Sequence, residues 1–142
     1  MKVSELSSVT EECELAANAF SVNDIGLALM HTTKALMRSI KCSGNIRTLK
    51  ELNLLSGNKV VGQSPNKMSA IAIVLLYQAN FHAQKGELPE TIETLFEICV
   101  LNNVDVGLLS VEDYETEEAM NAAATNLVKS NSKSIIEAIN NA

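Results

Sequence analysis

Residues 70–100, AIAIVLLYQANFHAQKGELPETIETLFEICV, constrain the fold more than any other part of the chain. The first half is apolar almost all the way round a helix and ends at Lys85-Gly86. Glu87-Leu88-Pro89 turns the chain. Ile92, Leu95, Phe96, Cys99 and Val100 then recur at i, i+3, i+4, i+7 and i+8, the spacing of a helix with one buried face. Pro89 pre-sets the first turn, and Glu90 and Glu93 suit its positive end. This stretch is therefore expected to form one helical hairpin.

The rest of the chain points the same way. Its 142 residues suffice for one domain, 1–142, with a sizeable core. Hydrophobic residues make up 46% and charged residues 20%, with no Trp and only two Pro, which favours a helical core of Ala, Leu, Ile, Val and Met. A first helix is expected over Ser8–Phe20, with Ser8 and Glu11 at capping-box spacing. A second runs from Asp24 to Lys41, with Ile25, Ala28, Leu29, Thr32, Leu36 and Ile40 on one face and a stop at Ser43-Gly44-Asn45. Ile46–Leu55 reads as a short helix, 56–67 as the least regular segment, and Ser64-Pro65 as a helix start. Ser110 with Asp113 has cap spacing. Beyond it lies one long helix, or two with a break near Ser130-Asn131-Ser132, whose narrow apolar stripe (Ala119, Met120, Ala123, Leu127, Ile135, Ile136, Ile139) docks weakly or awaits a partner. The fold class expected is an all-α single-domain bundle of antiparallel helical hairpins, with five to seven helices.

Two segments share a pattern. Leu15–Ser39 and Tyr77–Cys99 each place a small residue and an aromatic in one helix, then a tight polar turn, then a second helix. Together they cover about a third of the chain. The pattern resembles the tetratricopeptide helix–turn–helix. Ala16 and Ala79 match the small residue of the family's first helix, Gly86 and Asn23 the turn, Ala28 and Ala35 the small residues of the second helix. Thr91 is a weaker match, Ile98 departs from it, His82 stands where a tyrosine is usual, and neither segment has the closing proline. The resemblance implies that a partner segment lies against the first helices of the hairpins. In the second hairpin the residues it nominates are Ile73, Leu76, Asn80, Ala83 and Gln84, which a core role would equally explain.

Charge is distributed acidic, basic, acidic. The net charge is −6, yet Lys34, Arg38, Lys41, Arg47, Lys50, Lys59, Lys67 and Lys85 lie within 34–85 against Glu51 alone. Either the acidic ends fold beside the basic middle, or Lys34, Arg38, Lys41, Arg47 and Lys50 form a basic face that steers an acidic partner.

Patterns for chemistry are weak. His31 and His82 have no Cys, His or carboxylate at i±3 or i±4, so neither begins a metal site. Cys13, Cys42 and Cys99 form no C-x-x-C pair or disulfide framework, and Cys99 lies on an apolar stripe where a thiol is inert. Gly57–Ser64, GNKVVGQS, outlines a phosphate loop but has Gln63 where the phosphate-binding lysine belongs. The acidic run 112–118 lacks the glycine and alternating ligands of a calcium loop. The basic residues are not interleaved with stacking aromatics, which disfavours nucleic acid. The sequence predicts no cofactor, no membrane span, no signal-peptide core and a cytoplasmic protein, with export by a signal-independent route left open. The leading expectation is a non-catalytic protein–protein interaction module: an adaptor, a dedicated chaperone, or an inhibitor or immunity-type protein. The alternatives are a structural subunit of a homo-oligomeric or secreted assembly using its C-terminal helix, an anion- or nucleic-acid-binding helical domain, and an enzyme of unrecognised type.

Overall fold

Two short turns organise the chain. A computed structural model describes the backbone of residues 3–44 and 65–140, and side-chain burial within 6–44 and 69–130. Five α-helices lie among the described residues: α1 (Val3–Ser21), α2 (Ile25–Ser43), α3 (Pro65–Gln84), α4 (Leu88–Leu101) and α5 (Glu117–Asn140). The expected short helix 46–55 and the phosphate-loop outline 57–64 lie outside the described residues.

The turns joining α1 to α2 and α3 to α4 have the same construction, 63 residues apart from Ala16 to Ala79. In the first, Asp24 N donates to Ala19 O at 2.9 Å and Asn23 N to Phe20 O at 3.1 Å. In the second, Glu87 N donates to His82 O at 2.9 Å and Gly86 N to Ala83 O at 3.0 Å. Both turns need a left-handed residue, Asn23 at φ 63° and Gly86 at φ 77°, and asparagine and glycine tolerate it best. Asp24 caps α2 by accepting from Leu27 N at 3.4 Å, and Gly44 ends α2 in the left-handed conformation.

The two hairpins close a ring. α1 packs on α2 and α3, α4 on α3 and α2, and α5 lies on the outside of α2. Equivalent positions fill the core. Val9, Cys13, Ala16 and Phe20 of α1 correspond to Ala72, Leu76, Ala79 and Ala83 of α3, and all are buried. Ala28, Leu29, Ala35 and Leu36 of α2 correspond to Thr91, Ile92, Ile98 and Cys99 of α4, also buried. Buried hydroxyls on α2 are satisfied by the preceding turn: Thr32 Oγ1 donates to Ala28 O, Thr33 Oγ1 to Leu29 O and Ser39 Oγ to Ala35 O.

Two boundaries differ from the sequence reading. α1 begins at Val3, so Ser8 lies inside the helix and its spacing to Glu11 marks no start. Ser110 and Asp113 do form a capping box, but on a 3-10 turn, Val111–Tyr114; Thr116 Oγ1 then accepts from Ala119 N at the start of α5. α5 is one helix without a break near residue 130. It docks on α2 through Met120, Ala124, Leu127 and Val128.

Candidate functional site

The basic residues of α2 are not an open face. Glu12, on α1, is 7% exposed. Its carboxylate lies 2.7 Å from His31 Nδ1, 3.1 Å from Lys34 Nζ and 3.7 Å from Arg38 Nε. On its other side Arg38 donates two bonds to the Glu117 carboxylate, the second from Nη2 to Oε2 at 2.6 Å. Lys41 Nζ donates to Glu115 O at 3.2 Å. The hydrogen bond from Arg38 holds the Glu117 carboxyl below the usual glutamate range, and the same bond raises the guanidinium. At α2, carboxylates of the acidic ends thus fold beside basic residues of the middle. Lys34 and Arg38 are paired with carboxylates of α1 and α5. Arg47 and Lys50 lie outside the described residues.

The residues nominated on α3 divide between core and surface. Leu76 is 1% exposed and Ala83 fully buried, so neither is available to a partner. They belong to the column Ala72, Leu76, Ala79, Ala83, at i, i+4, i+7 and i+11, that faces the ring interior. Ile73 and Asn80 are half-buried on the flank, and Gln84 is exposed with its Nε2 donating to Asn80 Oδ1 at 3.2 Å.

The outward face of α3 lies elsewhere. Ala70, Val74, Tyr77 and Phe81, also at i, i+4, i+7 and i+11, follow the opposite line of the helix. Val74 is 54% exposed, Tyr77 65% and Phe81 54%. Lys85 Nζ lies 4.3 Å from the centroid of the Phe81 ring, at one end of this ridge. The equivalent face of α1 is Ser7, Glu11, Glu14 and Asn18, a polar surface. Val74, Tyr77 and Phe81 therefore occupy positions that the same architecture fills with polar groups in the other hairpin. The sequence reading passed over them. The signal was the alanine column: small residues mark the side where helices approach closely, which leaves the bulky ones facing out.

Nucleophilic chemistry has little foothold among the described residues. Burial pushes the Cys13 thiol up to about 12, with the neighbouring Glu12 and Glu14 adding to the shift, and burial does the same at Cys99, also to about 12. Cys42 is half-buried. Tyr114 is 1% exposed, its hydroxyl meets no hydrogen-bond partner among the described residues, and burial raises its pKa, as do Asp113 and Cys99 nearby. Among the described residues no cluster of His, Cys, Asp or Glu is arranged to hold a metal ion, and no helix is long and apolar enough to cross a membrane. Compared with family models, curated proteins and solved structures, the chain matches none, so its functional reading rests on the side chains described above.

Proposed function

We propose that this chain is a non-catalytic protein–protein interaction module, as an adaptor, dedicated chaperone or inhibitor would be, and that it binds a partner segment on the outward face of α3. The observation that carries this reading is the ridge Val74–Tyr77–Phe81, more than half exposed at each position where the equivalent residues of α1 are Glu11, Glu14 and Asn18. Fully burying one such side chain is worth roughly 1.5–3 kcal/mol, and aromatic residues with a polar tip, such as Tyr77, are favoured at interfaces. The resemblance to tetratricopeptide hairpins nominates the same helix, α3, as the first of its hairpin, but through Leu76 and Ala83 on the buried line rather than through the ridge.

Affinity capture from cells that make the protein tests this, using the native chain beside a Tyr77→Asp/Phe81→Asp variant. Both positions face water, so the variant is expected to fold, with its thermal melt as the check. A protein retained by the native chain and depleted about tenfold or more by the variant is the expected result. Identical captured sets would overturn the reading.

A further inference from the structure

The chemistry of the partner can be read from what borders the ridge. α3 has no acidic residue within Pro65–Gln84, and between Met68 and Gln84 it has no lysine or arginine either. The two helices packed against it are α1 and α4. Neither contains a lysine or arginine: α1 (Val3–Ser21) carries Glu5, Glu11, Glu12 and Glu14, and α4 (Leu88–Leu101) carries Glu90, Glu93 and Glu97. Glu11 and Glu14 on one side, and Glu90 and Glu93 on the other, are exposed. The surface is an apolar, partly aromatic ridge set between two acidic helices. Its one bordering cation with a described position, Lys85, sits over Phe81 at the end of the ridge.

We infer that the occupant is a basic amphipathic helix: a partner segment with apolar side chains along one stripe and lysine or arginine on both flanks. The inference rests on the interaction reading above and adds the partner's charge. From Ala70 to Phe81 the ridge spans about 16 Å, or about three helical turns. Apolar residues at i, i+3 or i+4 and i+7 of the partner match that length. Flanking cations then reach the carboxylates of α1 and α4, and an arginine can also lie over the Tyr77 or Phe81 ring. A second copy of this chain is the poorer fit. Pairing through α3 brings α1 and α4 of each copy, all acidic, against their counterparts, and like charges across an interface suppress pairing.

A displayed library of helical peptides tests the inference on the full chain. Four leucines are fixed along one stripe, and each flanking position is allowed to be Lys, Glu or Gln. The native protein is the bait, with Tyr77→Asp/Phe81→Asp and Tyr77→Ala/Phe81→Ala as parallel baits. Lys is expected to be enriched over Glu at the flanks by about tenfold. Selected peptides are expected to bind both ridge variants at least about tenfold more weakly, and a Glu14→Lys/Glu93→Lys bait should shift the enrichment from Lys towards Glu. Peptides that need the ridge but show no preference between Lys and Glu would overturn the charge inference and leave the interaction reading standing. No peptide distinguishing the native chain from the ridge variants would overturn both. Light scattering that shows a dimer, dissolved by the Asp or Ala pair, would assign the ridge to a second copy and overturn the basic-helix inference.

Discussion

The two hairpins are built alike and finished differently. Their turns share hydrogen bonds and a left-handed residue, and their inward columns are buried position for position. They differ where the column ends. Glu12 in the first hairpin corresponds to the half-buried Leu75 in the second, and Arg38 to Leu101. The first hairpin pairs ions on this flank, and the second has Leu75 and Leu101 at the positions of Glu12 and Arg38, with Glu97 at that of Lys34. On the outward face the contrast runs the same way, with Glu11, Glu14 and Asn18 in α1 against Val74, Tyr77 and Phe81 in α3. One backbone unit thus tolerates either chemistry at these sites. A charge turned inward or an apolar ridge turned outward is then a property of the sequence, not a demand of the fold.

The largest effect is expected at the ion cluster. Replacing Glu12 by Ala leaves His31, Lys34 and Arg38 facing one another around a vacated position, with Lys34 13% and Arg38 15% exposed at the side chain. Breaking one side of such a buried pair costs about 3–5 kcal/mol. Urea unfolding of Glu12→Ala should show a loss of that order. A loss under about 1 kcal/mol would mean that the cluster behaves as surface pairing, and that the first hairpin needs its ions no more than the second does.

Next in size is a contrast within α3 itself. Leu76→Ala empties a core position and is expected to destabilise by about 2–5 kcal/mol. Tyr77→Ala and Phe81→Ala, one and five residues further along, should each change stability by no more than about 0.5 kcal/mol. Thermal melts of the three variants decide the matter. If Phe81→Ala fell as far as Leu76→Ala, the ridge would belong to the fold and would not be a surface held ready for a partner.

Much of this architecture is legible in the sequence because local rules suffice for it. The i, i+3, i+4, i+7 spacing of α4, the Asp24 cap, the Gly44 stop and the Pro65 start all act within a few residues. Periodicity fails on α3 because the helix is apolar all round, so no moment marks the inward side. The tetratricopeptide pattern nominates Leu76 and Ala83 for a partner while leaving a core role open, and it does not single out Tyr77 and Phe81. Packing decided the point: α1 and α4 approach α3 along its alanines. The fate of the basic residues was equally non-local. Lys34 and Arg38 share a helix face by spacing, but only the fold brings them to Glu12, on the neighbouring helix, and to Glu117, 79 residues from Arg38.

The smallest expected effect concerns the outer half of the ion cluster, and it depends on pH. Glu117 is 61% exposed at the side chain, so its pair with Arg38 is screened, and such pairs contribute about 0.2–1 kcal/mol. Its folded pKa lies below the ordinary value of 4.5, chiefly because Arg38 donates to the carboxylate. A carboxyl with a depressed folded pKa binds fewer protons folded than unfolded in the acid range. Its contribution is therefore present above about pH 4.5 and is lost as pH falls through the folded value. Glu117→Gln should lower the melting temperature slightly at neutral pH and approach the native chain below about pH 4. High salt should narrow the neutral-pH gap as well. A gap that stayed constant from pH 7 to pH 3 would show that Glu117 acts through packing rather than charge. Glu12, held against Lys34, Arg38 and the His31 ring, would then remain as the residue that separates the flank of the first hairpin from that of the second.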